Sequence, residues 1–279
     1  MYLNSKTYDQ NCWICNDFAN SDEHKFKKSD ITSRYGKGEY SKKGNFKPIH
    51  IKNTETVIRG PKAKILTFEN VLCEKCNNER SQPWDNSYTI FSEYLRKNSS
   101  SLLKEKELNF KNIYGNNWEN ETVNLFKYFT KVFGCQISTA NTEVSKNITD
   151  FLLDKTKNLK HLKFKFYLKP DIIHLQEYYK NEYSHLFYGK VKWIGKSISE
   201  IESLTGWFTN SGISIYWVYN LSIDKELDFI PFEIKQIEYL PYLMADSLPK
   251  NLNEIKELVE FIENYNSEKI ELTNELLNE

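Results

Sequence analysis

The sequence has few long apolar runs and no excess of charge of either sign. No run approaches the roughly 18 apolar residues that a membrane-spanning helix needs, so we expect no membrane segment. The first residues also lack the apolar stretch of a secretory signal peptide, and we therefore expect a cytoplasmic protein. The sequence contains neither an internal repeat nor a glycine-rich phosphate-binding loop.

The charges balance over the whole chain, with 38 Lys and Arg against 38 Asp and Glu. This balance excludes the uniformly basic coat of many architectural DNA-binding proteins. Locally the charges are unequal, because residues 25–64 hold 12 basic and three acidic residues, whereas residues 250–279 hold three Lys and eight Glu. The basic segment predicts a surface that faces phosphate groups, and a solvated basic loop is the alternative interpretation.

Aromatic residues make up 15% of the chain, which argues against disorder. A length of 279 residues corresponds to about two domains at about 150 residues each. We predict an α+β protein with an N-terminal module over 1–97, a polar linker over 98–101 and a second domain over 102–279. The second domain is predicted to be helical over 102–158, rich in antiparallel strands over 162–240, and to end in a helix over 250–275.

Within the N-terminal module, the segments 57–59 and 65–68 predict two strands around a turn at Gly60 and Pro61. A short helix is expected to end near Ser81, and Pro83 suits the first turn of the next helix. In that helix four large side chains form an apolar stripe that we assign to the core: Trp84, Tyr88, Phe91 and Leu95.

Four of the five cysteines form two C-x-x-C pairs: Cys12 with Cys15, and Cys73 with Cys76. Two such knuckles supply the four thiolates of a closed, tetrahedral structural zinc site. Disulfides are the alternative in an oxidising compartment, and a redox motif usually has a single C-x-x-C pair. We therefore predict structural Zn²⁺. Cys135 lies outside this spacing and is expected to be a small buried residue.

The residues around the knuckles carry a resemblance to a known family. Glu23 and His24 follow the first knuckle, Asn70 precedes the second, and Asn77 follows it directly. This order over residues 9–97 resembles the HNH endonucleases, whose ββα-metal fold surrounds a zinc-stapled core. The third His of the family pattern is replaced by Asn77, and the family's frequent Pro after the first His is absent.

The resemblance implies a metal-dependent endonuclease that hydrolyses phosphodiester bonds of DNA. It implies His24 as the general base that activates water, and Asn70 as the residue that orients His24. Glu23 and Asn77 would hold a catalytic Mg²⁺ or Mn²⁺. A nuclease inside a cell needs restraint, and a role in phage defence would be consistent with such an enzyme.

Two other functions remain open at this stage. The chain can instead be a non-catalytic zinc module that binds nucleic acid, or an interaction subunit that contacts a protein partner or a second copy through residues 102–279. Arginine bonds phosphate bidentately, and lysine attracts it as a point charge. On this basis four residues are candidate contacts to nucleic acid: Lys28, Arg34, Arg59 and Arg80.

Overall fold

A computed structural model provides the structure of the protein. It describes residues 11–40, 49–51, 55–140, 143–157, 159, 162–169, 173, 186–188, 192–195, 201–220, 233–234 and 238–239. The helix predicted over 250–275 lies outside these residues. Across the described ranges, no helix has the length and apolar character needed to span a membrane.

The described residues of the N-terminal part form four strands and one α-helix. They are β1 (Ser21–His24), α1 (Lys28–Tyr35), β2 (Ile49–Ile51), β3 (Glu55–Val57) and β4 (Thr67–Leu72). The two strands predicted around Gly60 are only partly present, because β3 ends at Val57 and residues 64–66 form a short 3-10 helix before β4. They also do not pair with each other: β3 pairs with β2, and β4 pairs with β1, both antiparallel.

Helices dominate the middle of the chain. After the second knuckle, a π-helical turn (Lys75–Arg80) leads into α2 (Gln82–Glu105), which has a proline in its first turn as predicted. A two-residue strand, β5 (Leu108–Asn109), precedes three further α-helices: α3 (Phe110–Tyr114), α4 (Trp118–Thr139) and α5 (Lys146–Leu152).

Residues 98–101, which were expected to form a linker, lie inside α2. Leu95 and Leu102 are both buried and are two helical turns apart, so the apolar stripe continues across the polar segment. The polar residues between them lie on the outer side of the helix, where Asn and Ser cost little. The composition of this segment therefore indicated an exposed helix face and not a break.

The C-terminal strands form one mixed sheet of six strands. They are β6 (Leu162–Leu168), β7 (Leu186–Tyr188), β8 (Lys192–Gly195), β9 (Ile201–Asn210), β10 (Ile213–Asn220) and β12 (Glu238–Tyr239), while β11 (Glu233–Ile234) pairs with β5. The order is β12-β6-β10-β9-β7, with β8 also on β9. All pairs are antiparallel except β12 with β6, so the predicted α+β class with antiparallel strands is confirmed.

Two glycines have different roles in the sheet. Ser211 and Gly212 both have positive φ and form the turn that connects β9 to β10. Gly206 lies inside β9 opposite Trp217. A Cβ atom on Gly206 would lie 2.5 Å from the indole nitrogen of Trp217, so the glycine makes room for this ring.

The hydrophobic core is continuous from the cysteine knuckles to the large sheet. Its centre is α4, in which every residue from Leu125 to Ile137 is buried. Phe126 of α4 packs against Phe164 of β6, with ring centroids 5.6 Å apart. The N-terminal part and the sheet thus share a single core through α4.

Candidate active site and metal centre

The four knuckle cysteines form one cluster. Their sulfur atoms all lie within 4.8 Å of one another, and three of the four residues are buried. One cross-knuckle pair, Cys15 Sγ and Cys73 Sγ, is 3.5 Å apart. A tetrahedral zinc site with Zn–S bonds near 2.3 Å places its sulfurs about 3.8 Å apart, so the cluster fits a metal ion such as zinc. The ligand set predicted from the spacing is confirmed as a cluster.

Hydrogen bonds hold the two knuckles in place. The first knuckle is a tight turn, in which the backbone N–H of Asn16 donates to the carbonyl of Cys12. Asn20 links this turn to the second knuckle, because its backbone N–H donates to Leu72 O and its side chain accepts from the N–H of Glu74 at 3.0 Å. The metal site therefore connects β4 to the segment that leads into β1.

The first knuckle also docks on α4. The indole N–H of Trp13 donates to Cys135 Sγ at 3.5 Å. A side chain at Gly134 would overlap the Trp13 ring, so this close approach requires glycine. Cys135 is buried, as expected, and belongs to this docking contact and not to the metal cluster.

β1 ends at His24 and pairs with β4 across an irregular register. Ser21 lies opposite Leu72, whereas Glu23 lies opposite Phe68, so β4 bulges opposite the intervening residue. Asn70 lies in this bulge in the left-handed conformation, with φ of 47°. Its backbone N–H donates to Asp22 Oδ1 at 2.9 Å, which fixes the bulge against β1.

Asn77 attaches the helical turn after the second knuckle to β1. Its amide nitrogen donates to Ser21 Oγ and to the carbonyl of Asp22, both at 2.9 Å. These bonds use the Nδ2 hydrogens, and Oδ1 is the atom of this amide that can act as a ligand to a cation. The structure thus brings Asn70 and Asn77 to the strand that carries His24.

His24 is half-buried at the end of β1, and Nδ1 is buried with no hydrogen-bond partner among the described residues. Burial lowers the pKa of the imidazole, and the charge of Lys28 lowers it further against the opposing effect of Asp22. The imidazole is therefore neutral near pH 7, which is the form in which histidine can accept a proton.

Glu23 lies in the interior of the protein. Its carboxylate Oε1 is 3.0 Å from Nζ of Lys131, whose side chain is 1% exposed. Burial raises the pKa of Glu23, and the competing carboxylate of Asp85 adds to this effect. Successive side chains of a strand point to opposite faces, so the structure separates Glu23 from the face of β1 that carries Asp22 and His24.

Lys131 is shared between two carboxylates. In addition to Glu23, it contacts Asp85 Oδ1 at 3.1 Å and Ser81 Oγ at 3.4 Å. Burial disfavours its charged form, but attraction to the two carboxylates outweighs burial and raises the pKa of Lys131 above its ordinary value. The lysine is therefore charged, and it fixes β1 to α2 and α4.

Three of the four predicted nucleic-acid contacts lie at or near the surface. Lys28 and Arg59 are exposed and line the same cavity. Arg80 is half-buried and its guanidinium donates to Cys76 Sγ at 2.6 Å, where it stabilises negative charge on the cysteine cluster.

The structure places the fourth, Arg34, in the interior and not on a phosphate-facing surface. Its side chain is 2% exposed, and its guanidinium bonds to Asn210 and Ser211 at the β9–β10 turn. Arg34 is buried because the buried carboxylate of Asp30, one turn earlier in α1, lies 3.6 Å from its guanidinium. Asp30 also accepts from Tyr88 and Ser92 of α2, each at 2.7 Å. This network ties α1 to both α2 and the large sheet.

Comparisons with known proteins match no family model, no curated protein and no solved structure. The sequence interpretation did not identify Lys131 or Asp22. The sequence did hold a signal for Lys131, because it lies in the mainly apolar segment 125–137, and a lysine buried there needs an acid as partner. Asp22 could be assigned to the His24 face only after Glu23 had been placed in the interior.

Proposed function

We propose that this protein is a metal-dependent HNH-like endonuclease that cleaves DNA. The observation that carries the proposal is the attachment of Asn77 to β1, which joins the helical turn of a metal-binding knuckle to the strand that ends at His24. Together with β4, these elements make a ββα unit around the cysteine cluster.

His24 has the properties of a general base in this proposal. It is neutral near pH 7 and half-buried, so it can take a proton from a water molecule that attacks a phosphodiester. Asp22 belongs to the same strand, and its carboxylate accepts from the backbone N–H of Asn70. The orienting role of the Asn70 side chain toward His24 rests on the resemblance.

A divalent cation such as Mg²⁺ would neutralise charge on the phosphate oxygens during cleavage. Oxygen ligands suit this ion, and the residues that offer them on the His24 side are Asn77, through Oδ1, and Asp22, through its exposed carboxylate. Glu23, which the resemblance implied as a ligand, would first have to leave Lys131. We therefore propose Asp22 in place of Glu23.

A second candidate function is nucleic-acid binding without cleavage. One observation favours it: the carboxylate that the family pattern supplies to the catalytic cation is buried in an ion pair with Lys131. In this alternative, the cysteine cluster and the basic surface operate without a reactive centre.

Purified protein incubated with plasmid and single-stranded DNA tests the proposal. We expect nicking or cleavage with Mg²⁺ or Mn²⁺, none with chelator, and at least about a hundredfold loss in His24→Ala. Asn77→Ala should also lose activity, whereas Asn78→Ala, an exposed neighbour, is the matched control. DNA binding that persists while neither wild type nor variants cleave would favour the second candidate.

A further inference from the structure

A cavity of about 730 Å³ lies between α1 and the turn at residues 60–63. This volume is within the usual range for ligand-binding clefts. Residues from the first turns of α1 form one wall, and the turn forms the other. Neither the metal cluster nor the ββα unit described above includes this cavity.

Basic side chains contribute to the lining of the cavity, although the surface of its walls is mainly apolar. Among the described residues, Lys28, Lys37, Arg59 and Lys62 are the lining cations, and Glu39 is the lining acid. All four cations are exposed, and the ion pairs found among the described residues include none of them. Concentrated positive charge in a concave surface focuses the field on an anionic ligand.

The walls of the cavity are fixed before any ligand binds. The backbone N–H of Tyr40 donates to the carbonyl of Arg59 at 2.9 Å, which joins the two sides. Gly60 approaches the carbonyl of Gly38 so closely that a Cβ atom there would lie 3.2 Å from that oxygen. Below the cavity, Asp30 anchors α1 to the interior through α2. A preformed site loses little conformational entropy on binding.

The cavity adjoins the segment that follows β1. Lys28 belongs to its lining and follows His24, the last residue of β1, by four residues. A polymer with regularly spaced phosphates is a ligand that can extend from this cavity toward His24.

We propose that this cavity binds the phosphodiester backbone of a nucleic-acid strand next to the phosphate that His24 attacks, with Lys37 and Lys62 as contacts in addition to Lys28 and Arg59. Only one part of this inference rests on the proposed function, namely that His24 attacks the neighbouring phosphate. The cavity's own affinity for nucleic acid does not depend on cleavage. Arginine contributes bidentate bonds and the lysines contribute point charges.

The test compares two double variants of equal charge in the His24→Ala background, where no cleavage interferes. Lys37→Ala with Lys62→Ala removes two cavity cations, whereas Lys104→Ala with Lys111→Ala removes two exposed cations outside the cavity. Binding of fluorescent single-stranded and duplex DNA is measured by anisotropy between low and moderate salt. Heparin is the competitor that represents a generic polyanion.

We expect the cavity variant to bind DNA about tenfold more weakly, with the slope of log K against log salt reduced by about 1.4 to 1.8. The control variant should match the parent in both quantities. Equal weakening in the two variants, or weakening toward heparin but not toward DNA, overturns the proposal. If wild type binds as expected but never cleaves, the cavity assignment stands and only the proposed catalysis fails.

Discussion

Nζ of Lys131 lies 3.0 Å from Oε1 of Glu23, inside the protein and away from water. The resemblance implied that Glu23 binds a metal ion. In the structure, Glu23 instead forms an ion pair that connects β1 to α4. It also determines which face of β1 is open, because the residues on either side of Glu23 point the other way.

Replacing Lys131 with Met should destabilise the protein strongly. The change leaves the buried Glu23 and the partly exposed Asp85 without their shared cation, and the expected loss is about 3 to 5 kcal/mol in urea unfolding. Lys127→Met is the matched control on the same helix, because its partner Asp154 is 80% exposed and can be solvated when left alone. A loss in Lys131→Met no larger than that in the control would contradict a central role for the buried pair.

The double variant Glu23→Gln with Lys131→Met refines this prediction. Removing the acid together with the lysine leaves fewer uncompensated charges, so the double variant should be more stable than the sum of the single losses implies. Strict additivity would mean that the two side chains do not interact across the 3.0 Å contact.

The pKa of His24 should lie below the ordinary histidine value of 6.5, because burial and Lys28 disfavour its charged form. At pH values near and below 6.5, His24 then binds more protons in the unfolded chain than in the folded protein. The free energy of unfolding should therefore fall as pH decreases below about 6.5. Proton NMR titration of the imidazole checks the pKa. His24→Gln should lose less stability than wild type between pH 7.5 and 5.5, and an identical pH dependence would count against the shift.

Removing the metal should unfold the N-terminal part. A zinc-to-protein ratio of about one is expected by elemental analysis, and chelation should lower the melting temperature. Cys73→Ser should abolish zinc retention, whereas Cys135→Ala should retain it, because Cys135 contacts Trp13 and not the cluster. Zinc loss in both variants would place Cys135 in the metal site.

The polar network at the β9–β10 turn should be required for stability. Asn210 donates to Tyr88 Oη and Ser92 Oγ, both at 2.9 Å, and accepts from Arg34, so Asn210→Ala removes three hydrogen bonds from a buried network. We expect a loss of about 3 kcal/mol in urea unfolding. Asn220→Ala, at the far end of β10, should change stability by less than about 1 kcal/mol. Comparable effects at the two positions would argue against a special role for the network.

Local patterns in the sequence were enough to predict several parts of the protein. The C-x-x-C spacing determined which four cysteines meet, because two residues between thiols let both reach one ion. Helical periodicity predicted the buried stripe of α2, and alternation predicted β6 and β10. These features depend on near neighbours, whose geometry the backbone fixes.

The tertiary structure alone decided the roles of the charged residues. A charged side chain is stable inside a protein only when it has a partner, and for Glu23 a distant segment supplies that partner, Lys131. The spacing of residues along the chain does not show that Lys131 and Glu23 are partners. The sequence therefore determined the metal cluster and the strands and helices around it. Packing of α4 and the large sheet decided which charges are buried, and so left Asp22 and His24 on the open face of β1.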